Sequence, residues 1–548
     1  MRLRKTAKQV VASVLWASLV TSLCAVPADA FTAQRDTSTL TIGVLQLPTS
    51  LDPLINTQQT TRDITDAVFE SLLSPDTHDA LQPQLATRYT VSPNGLTYQF
   101  SLDPRARWQD GLPVTSADVL FTAKLMRDRH FPASNRYGFG NIATLSADGP
   151  LTVTATLRGP YAPFLRAFAT TPIVPSHVLG PIPVAALAQY ETFNRRPIGS
   201  GPYVVSDFMA GDHLTLTANP SYYRSTPRLQ KLIFKLEPTQ AAALAALKSG
   251  AVQMLGPSVG ITPQQVLTSL QIGRFSAFAS PGSGWTHIDL IESGFLRDHI
   301  VRQALTYATP RQRIVSTLFN GLATPADADQ PPTSQYYEPA VAGSFPYDPR
   351  RIPGLLLSRG FKREHGTWRK FGRTLSITLW TDVACADCRA VAGLVAASWS
   401  AAGIPTVVRT LNQHKLFGLH GPLFNSNRLF DSNLNAVLYT WATSAEPDDS
   451  YYWTAPMIVR PGHLGGGNFD GYSNPKVDQL TNLAINTPDE AKRVSLYRQV
   501  QRLLVHDQPD VFLYWTSHLT LAVSNLHGYR ANPFLPGVTW NVAQWSLS

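Results

Sequence analysis

Residues 88–122, RYTVSPNGLTYQFSLDPRARWQDGLPVTSADVLFT, constrain the chain most. A short strand pair runs into a tight turn, Trp108-Gln109-Asp110-Gly111, and then into a helix. Thr115 is placed to cap that helix, with Asp118 at its third position. Cap and carboxylate together satisfy first-turn N–H groups and favour the positive helix end. The chain has 548 residues, too many for one core, so two or three structural units are expected.

The N-terminus reads as a targeting segment. Arg2, Arg4, Lys5 and Lys8 form a basic region, residues 10–20 an apolar one, and Ala28-Asp29-Ala30 a small-x-small site, which predicts a secretory signal cleaved after Ala30. The apolar run is well short of the ~20 residues a membrane span needs. Cys24 follows Leu23, a large residue where lipid-attachment signals want a small one. Export without lipid attachment points to a periplasmic protein. Cleavage removes four basic residues and one acidic one, lowering the formal charge from +9 to +6. No Lys/Arg cluster is interleaved with aromatics, so no nucleic-acid partner is expected. Apolar residues at 44% and aromatics at 10% are those of a globular chain. After cleavage two cysteines remain, Cys385 and Cys388. In an oxidising compartment a local disulfide is the default. A redox centre lacks the usual aromatic and proline context, and zinc lacks two further ligands at finger spacing.

Alternation of Leu40, Ile42 and Val44 predicts a strand over 39–45, followed by a loop through Asp52-Pro53. Ile64, Val68 and Leu72 predict a helix over about 61–73. Residues 83–175 are mostly short strands with turn signals, and 203–208 and 213–217 form a hairpin around Ala210-Gly211. Thr239 caps a helix that stops at Gly250, and another begins near Asp298. Thr487-Pro488-Asp489-Glu490 combines a capping box with proline in the first turn and opens a helix through Val494, Tyr497, Val500 and Leu504. This irregular alternation indicates an α/β chain of discontinuous domains. Gly-x-x-x-x-Gly-Lys and His-Glu-x-x-His are absent, and no enzyme is expected.

The 108–119 stretch closely resembles the W-x-D-G-x-x-V-T-x-x-D-V region of the family 5 extracellular solute-binding proteins, the peptide- and nickel-type receptors of ABC importers. Further matches follow in order: Leu51-Asp52-Pro53, Val68-Phe69-Glu70-Ser71-Leu72-Leu73, residues 197–203 (PIGSGPY), Asn219-Pro220-Ser221-Tyr222-Tyr223, Lys248-Ser249-Gly250-Ala251-Val252, Val301-Arg302-Gln303-Ala304-Leu305, and residues 468–475 (NFDGYSNP). Each is weak alone, and their order over more than 400 residues carries the resemblance. It implies an α/β, periplasmic binding protein-like type II fold in its large three-domain (cluster C-like) form with a hinged cleft. Domain I would comprise 31–70, 198–285 and 507–548, a small accessory domain II 71–197, and domain III 286–506. The implied function is periplasmic capture of a peptide or a peptide-like, opine-like or glycoside-like solute by a monomer, for delivery to inner-membrane permease subunits. The alternatives are a ligand-sensing receptor module and a binder of a chelated metal complex. No cofactor is implied. Trp108, Asp110, Gly111, Gly199, Gly201 and Tyr203 are expected to hold turns and core.

In peptide-binding relatives a W-x-x-D pattern supplies the aspartate that fixes the peptide's α-ammonium group. The similar segment here begins at Trp441 and has Ser444 at the acidic position. A hydroxyl cannot balance a buried cation. Either Glu446 or Asp448 replaces the carboxylate, or the ligand lacks a free amino terminus. Position within the implied fold adds Gln46 and Thr49 in the loop after the first strand. It also adds Trp285 and His287 at the domain crossing, and Asn468, Phe469 and Tyr472 after Gly465-Gly466-Gly467. His414, His420 and His463 are scattered, so no protein-held metal is expected.

Overall fold

The computed structural model describes residues 36–136, 138–417, 435–442, 446–448, 450–460, 463, 465–535 and 537–548. The signal segment, Ser444 and His420 lie outside the described residues. Among the described residues, no helix is long and apolar enough to cross a membrane.

One eleven-stranded mixed sheet organises the molecule. Its order runs Thr406–Leu411, Ile377–Asp382, Ala436–Ala442, Phe275–Leu290, Asp510–Val523, Met254–Leu255, Thr39–Val44, Lys231–Leu236, His213–Ala218 and Tyr203–Met209, with Thr324–Pro325 on the side of Asp510–Val523. Sequence-distant strands alternate along it, which is why the domains read as discontinuous. The two longest strands, Phe275–Leu290 and Asp510–Val523, pair antiparallel. Phe275, Leu519 and Leu521 pack in one core, and Ile288, Leu290, Val511 and Leu513 in another. The pair therefore bridges two cores, and its register shifts between Pro281/Trp285 and Thr286/His287. A separate four-stranded antiparallel sheet holds Ala86–Val91, Thr97–Leu102, Thr152–Leu157 and Ile142–Ala147 in that order.

Local signals acted as expected at several ends. The Asp118 carboxylate accepts the Thr115 N–H at 2.9 Å and opens helix Ser116–Arg127. The Thr239 hydroxyl oxygen accepts the Ala242 N–H at 3.1 Å, and Gly250 closes helix Gln240–Ser249 with φ +88°. Cys385 and Cys388 are joined as a disulfide at the start of helix Ala386–Ala401.

Two boundaries differ from the sequence reading. The helix predicted over 61–73 is only Gln59–Thr65. Beyond it the carbonyls of Ala67 and Val68 accept N–H groups of Tyr203 (3.0 Å) and Gly201 (2.8 Å), so they do not serve a helical ladder. The late helix is Glu490–Asp507, capped by Asp489 through the Lys492 N–H at 3.1 Å. Thr487 instead donates its hydroxyl to the Leu483 carbonyl at 2.7 Å, finishing the preceding helix Pro475–Ile485.

Asp63 ties the first helix to the C-terminal loop. It is buried and accepts from Gln59 Nε2 at 2.9 Å and the Val538 N–H at 3.1 Å. Burial lifts its carboxyl from the usual 3.8 to about 7, against these two hydrogen bonds. A raised acid favours the neutral folded form, so its contribution is complete below 3.8 and lost as pH rises through about 7. Buried Asp52 and half-buried Asp66, each raised to about 6, act in the same direction. The melting temperature is therefore expected to fall between pH 5 and pH 8. Asp63→Asn should flatten that fall by an amount equivalent to about 1–4 kcal/mol. An unchanged slope in scanning calorimetry would show that Asp63 ionises freely.

Candidate functional site

The site grows from strand periodicity. Trp285, His287 and Asp289 alternate along one strand and so point to one face. The adjacent Ala436–Ala442 strand sets Tyr439 opposite His287 and Trp441 opposite Trp285. On the other side, Asp510 pairs with Asp289. Together with Tyr452, Trp453, Phe469 and Asp470 they line a cavity of about 230 Å³, including the part open to solvent.

Its wall is aromatic. Trp285 stacks on the His287 ring at 3.9 Å, and Tyr439 meets His287 edge-on at 4.4 Å. Trp441 lies 5.7 Å from Phe469 and 5.1 Å from Tyr452, whose hydroxyl accepts its indole N–H. Such rings enclose ligand area with few rotors to freeze. Its floor is acidic. His287 Nε2 lies 2.9 Å from Asp289 Oδ1 and 3.8 Å from Asp510 Oδ2. The Tyr439 hydroxyl donates to Asp289 Oδ2 at 2.8 Å. Burial first, then neighbouring carboxylates, pushes Asp470 and Asp510 well above the usual range.

Of the residues singled out from sequence, Trp285, His287, Trp441 and Phe469 meet at this cavity. Gln46 and Thr49 are exposed and do not line it. Asn468 forms a buried turn: its amide donates to the carbonyls of Thr454 (3.2 Å) and Tyr472 (2.9 Å). The buried Tyr472 donates its hydroxyl to Asp507 at 2.7 Å. Asp448 accepts the Ser450 N–H at 3.1 Å. Glu446 turns the other way, 2.8 Å from Arg493 and 3.9 Å from Arg166, and is itself buried. Sequence reading missed Asp289, Tyr439, Asp470 and Asp510. The period-two patterns Trp285-x-His287-x-Asp289 and Tyr439-x-Trp441 carried part of that signal. The pairing that brings Asp510 in, 221 positions after Asp289, has no local signature.

Comparison with known proteins bears on the whole chain. The family described as bacterial extracellular solute-binding proteins, family 5 (middle region), matches residues 80–456. The oligopeptide-binding protein AppA of Bacillus subtilis is 25% identical over 560 residues, covering 100% of both chains. The glutathione-binding protein GsiB of Shigella dysenteriae is 26% identical over 499 residues, 88% of this chain and 90% of that one. The structure of AppA in complex with a nonapeptide aligns with a TM-score of 0.65 over 93% of this chain and 99% of that one. HbpA2 of Haemophilus parasuis, at 21% identity, aligns with a TM-score of 0.79 over 93% of this chain and 100% of its own, a likeness of fold.

Proposed function

The chain belongs to the bacterial extracellular solute-binding proteins of family 5, and on that premise we propose that it is the substrate-binding component of an ABC importer. It captures a peptide or a peptide-like, opine-like or glycoside-like solute in the periplasm and delivers it to permease subunits in the inner membrane. Capture occurs between domain I (31–70, 198–285 and 507–548) and domain III (286–506), with 71–197 as the accessory domain. Two cores support a split between the two main lobes, the first also taking in Trp108 and Phe168 of the accessory range and the second Val511 and Leu513 of the last segment. One holds Leu40, Leu232 and Trp545, and the other holds Leu305, Val395 and Leu438. The long strand pair between them is the natural hinge, since small rotations at a register break move whole lobes. The signal-like first thirty residues support export.

One observation carries the solute class: the wall of Trp285, Tyr439, Trp441 and Phe469 at the point where the long strands leave one core for the other. Glu446 is already matched by two arginines, which supports a solute that brings no α-ammonium to that loop. The protein purified from the exported fraction is to be weighed intact and after mild denaturation by native mass spectrometry, and any released solute titrated back. Trp441→Ala is expected to weaken rebinding by about 2 kcal/mol, some thirtyfold, because a half-buried indole at the wall is lost. The solute should return with unchanged mass. Equal affinity of variant and wild type would remove the cavity from solute binding. If nothing is released and no member of a peptide, opine and oligosaccharide panel shifts the melting temperature, the capture role itself fails.

A further inference from the structure

The cavity floor has a chemistry that solute capture does not explain. His287, Asp289 and Asp510 are 1%, 3% and 2% exposed, and one ligand atom from each lies within 4.8 Å of the others. They come from two different strands and are fixed by the sheet, so their convergence does not depend on a loop. Asp510 Oδ1 and Asp470 Oδ2 are buried and hydrogen-bonded to nothing among the described residues. Trp285 Nε1, in the same lining, is buried without a hydrogen-bond partner among the described residues. Among the described residues, no Lys or Arg is ion-paired with Asp289, Asp470 or Asp510; His287 pairs with Asp289 and Asp510, and Arg302 acts on Asp470 only as a more distant charge. Three carboxylates out of water with one imidazole between them form a strongly unbalanced group. Such a group must take up protons or a cation, because an isolated buried carboxylate costs several kcal/mol.

The imidazole geometry favours the cation. His287 Nδ1 lies 3.3 Å from the Trp285 carbonyl oxygen and, as an N–H, donates to it. In the neutral ring that assignment leaves the Nε2 lone pair facing Asp289 and Asp510. A ring N–H held by a backbone carbonyl is the arrangement that orients a metal-binding histidine, and a hydrogen-bonded carboxylate completes it. The Tyr439 hydroxyl on Asp289 Oδ2 supplies the second element.

We propose that His287, Asp289 and Asp510 bind a divalent transition-metal cation at the floor of the cavity, with Asp470 within reach as a further acid. One imidazole nitrogen and two carboxylates suit zinc, nickel, cobalt or manganese. Calcium and magnesium prefer oxygen donors alone. The coordination positions on the cavity side are left to water or to donor atoms of a solute. The expectation of no protein-held metal rested on His414, His420 and His463; His463 is not in this group, and the His414 side chain and His420 lie outside the described residues. The relevant pattern, His287-x-Asp289, becomes a site only through pairing with Asp510.

This inference is independent of the import role, because it is tested with metal alone. The full-length exported protein, stripped with a chelator, is titrated with Zn²⁺, Ni²⁺, Co²⁺, Mn²⁺, Ca²⁺ and Mg²⁺ by calorimetry. Bound metal is counted by elemental analysis after dialysis. One transition-metal ion per chain is expected, and no saturable Ca²⁺ or Mg²⁺. His287→Gln and Asp510→Asn should each weaken binding at least about tenfold, while Asp448→Asn, outside the cavity, should leave it unchanged. Should a variant misfold, the wild-type protein still decides: Co²⁺ must develop ligand-field bands of a nitrogen/oxygen site, and those bands must vanish on adding Zn²⁺. Absence of one-to-one binding by the wild type overturns the proposal. So does binding that persists in a folded His287→Gln protein. Saturable binding of an organic ammonium probe in place of every metal also overturns it, by assigning the floor to a charged solute.

Discussion

Glu446→Ala is expected to destabilise the protein by about 3–5 kcal/mol, the cost of breaking a buried ion pair by removing one partner. Glu446 sits between Arg493 at 2.8 Å and Arg166 at 3.9 Å, and Arg166 is held by Asp79 at 2.6 Å. None of these four side chains is more than 6% exposed. Two guanidiniums and two carboxylates balance, so each partner limits the desolvation cost of the others. Without Glu446, the direct contacts left to Arg493 among the described residues are the Tyr336 hydroxyl, which accepts its N–H at 2.7 Å, and the tyrosine ring below it, with Glu490 as a more distant charge. A neutral acceptor and a π face do not replace a carboxylate. Arg166 and Asp79 belong to the 71–197 region, Glu446 and Arg493 to 286–506, so the loss also loosens the contact between them. Glu446→Gln should recover part of the loss, because an amide oxygen still accepts from Arg493. Denaturant unfolding checks the magnitude. A change below about 1 kcal/mol, as for exposed pairs, would mean that water reaches the network. A much weaker solute affinity without a stability change would return Glu446 to the ligand site.

That network also shows where sequence reading reaches its limit. Trp441 was singled out and lines the cavity, but the role of the acid five positions later depended on Arg166 and Arg493, 275 and 52 positions from Trp441. Local rules worked where the deciding interaction is local. Thr115 with Asp118, Thr239 with Ala242 and Gly250 with its positive φ all act within one turn. They failed where a distant segment competes for the same backbone groups. The 59–65 helix ends because the 197–203 segment takes the next carbonyls, and the late helix starts at Asp489 because Thr487 serves the helix before it. The cavity follows the same rule. The face carrying Trp285 and His287 is periodic and so legible, while the register that adds Tyr439 and Asp510 is a property of the whole sheet.

Gly199→Ala is expected to cost more than about 3 kcal/mol, enough to prevent accumulation of folded protein, because its methyl group meets fixed backbone. A Cβ at Gly199 falls 1.9 Å from the Val68 carbonyl oxygen and 2.7 Å from its carbonyl carbon. Neither side can retreat cheaply. The Val68 oxygen accepts the Gly201 N–H at 2.8 Å, and the neighbouring Ala67 oxygen accepts the Tyr203 N–H at 3.0 Å. Gly199 is clamped from its other face by Gln109, whose N–H donates to the Gly199 carbonyl and whose Oε1 accepts the Gly199 N–H, both at 2.9 Å. Gln109 Nε2 then reaches the Tyr203 carbonyl at 2.7 Å. The WQDG turn, the VFESLL segment and PIGSGPY are therefore one hydrogen-bonded knot, and the glycine is there because two main chains touch. Relieving the clash needs a shift of an ångström or more, which breaks several of these bonds at once. Gly393→Ala serves as a control of opposite sign. It lies on the exposed face of helix Ala386–Ala401 with nothing within 4 Å of a new Cβ, so it should stabilise by about 0.5–1 kcal/mol. Soluble yield and calorimetric melting of the two variants decide the matter. If Gly199→Ala melts within a degree of the wild type, the knot yields without cost and the three motifs are not mechanically joined.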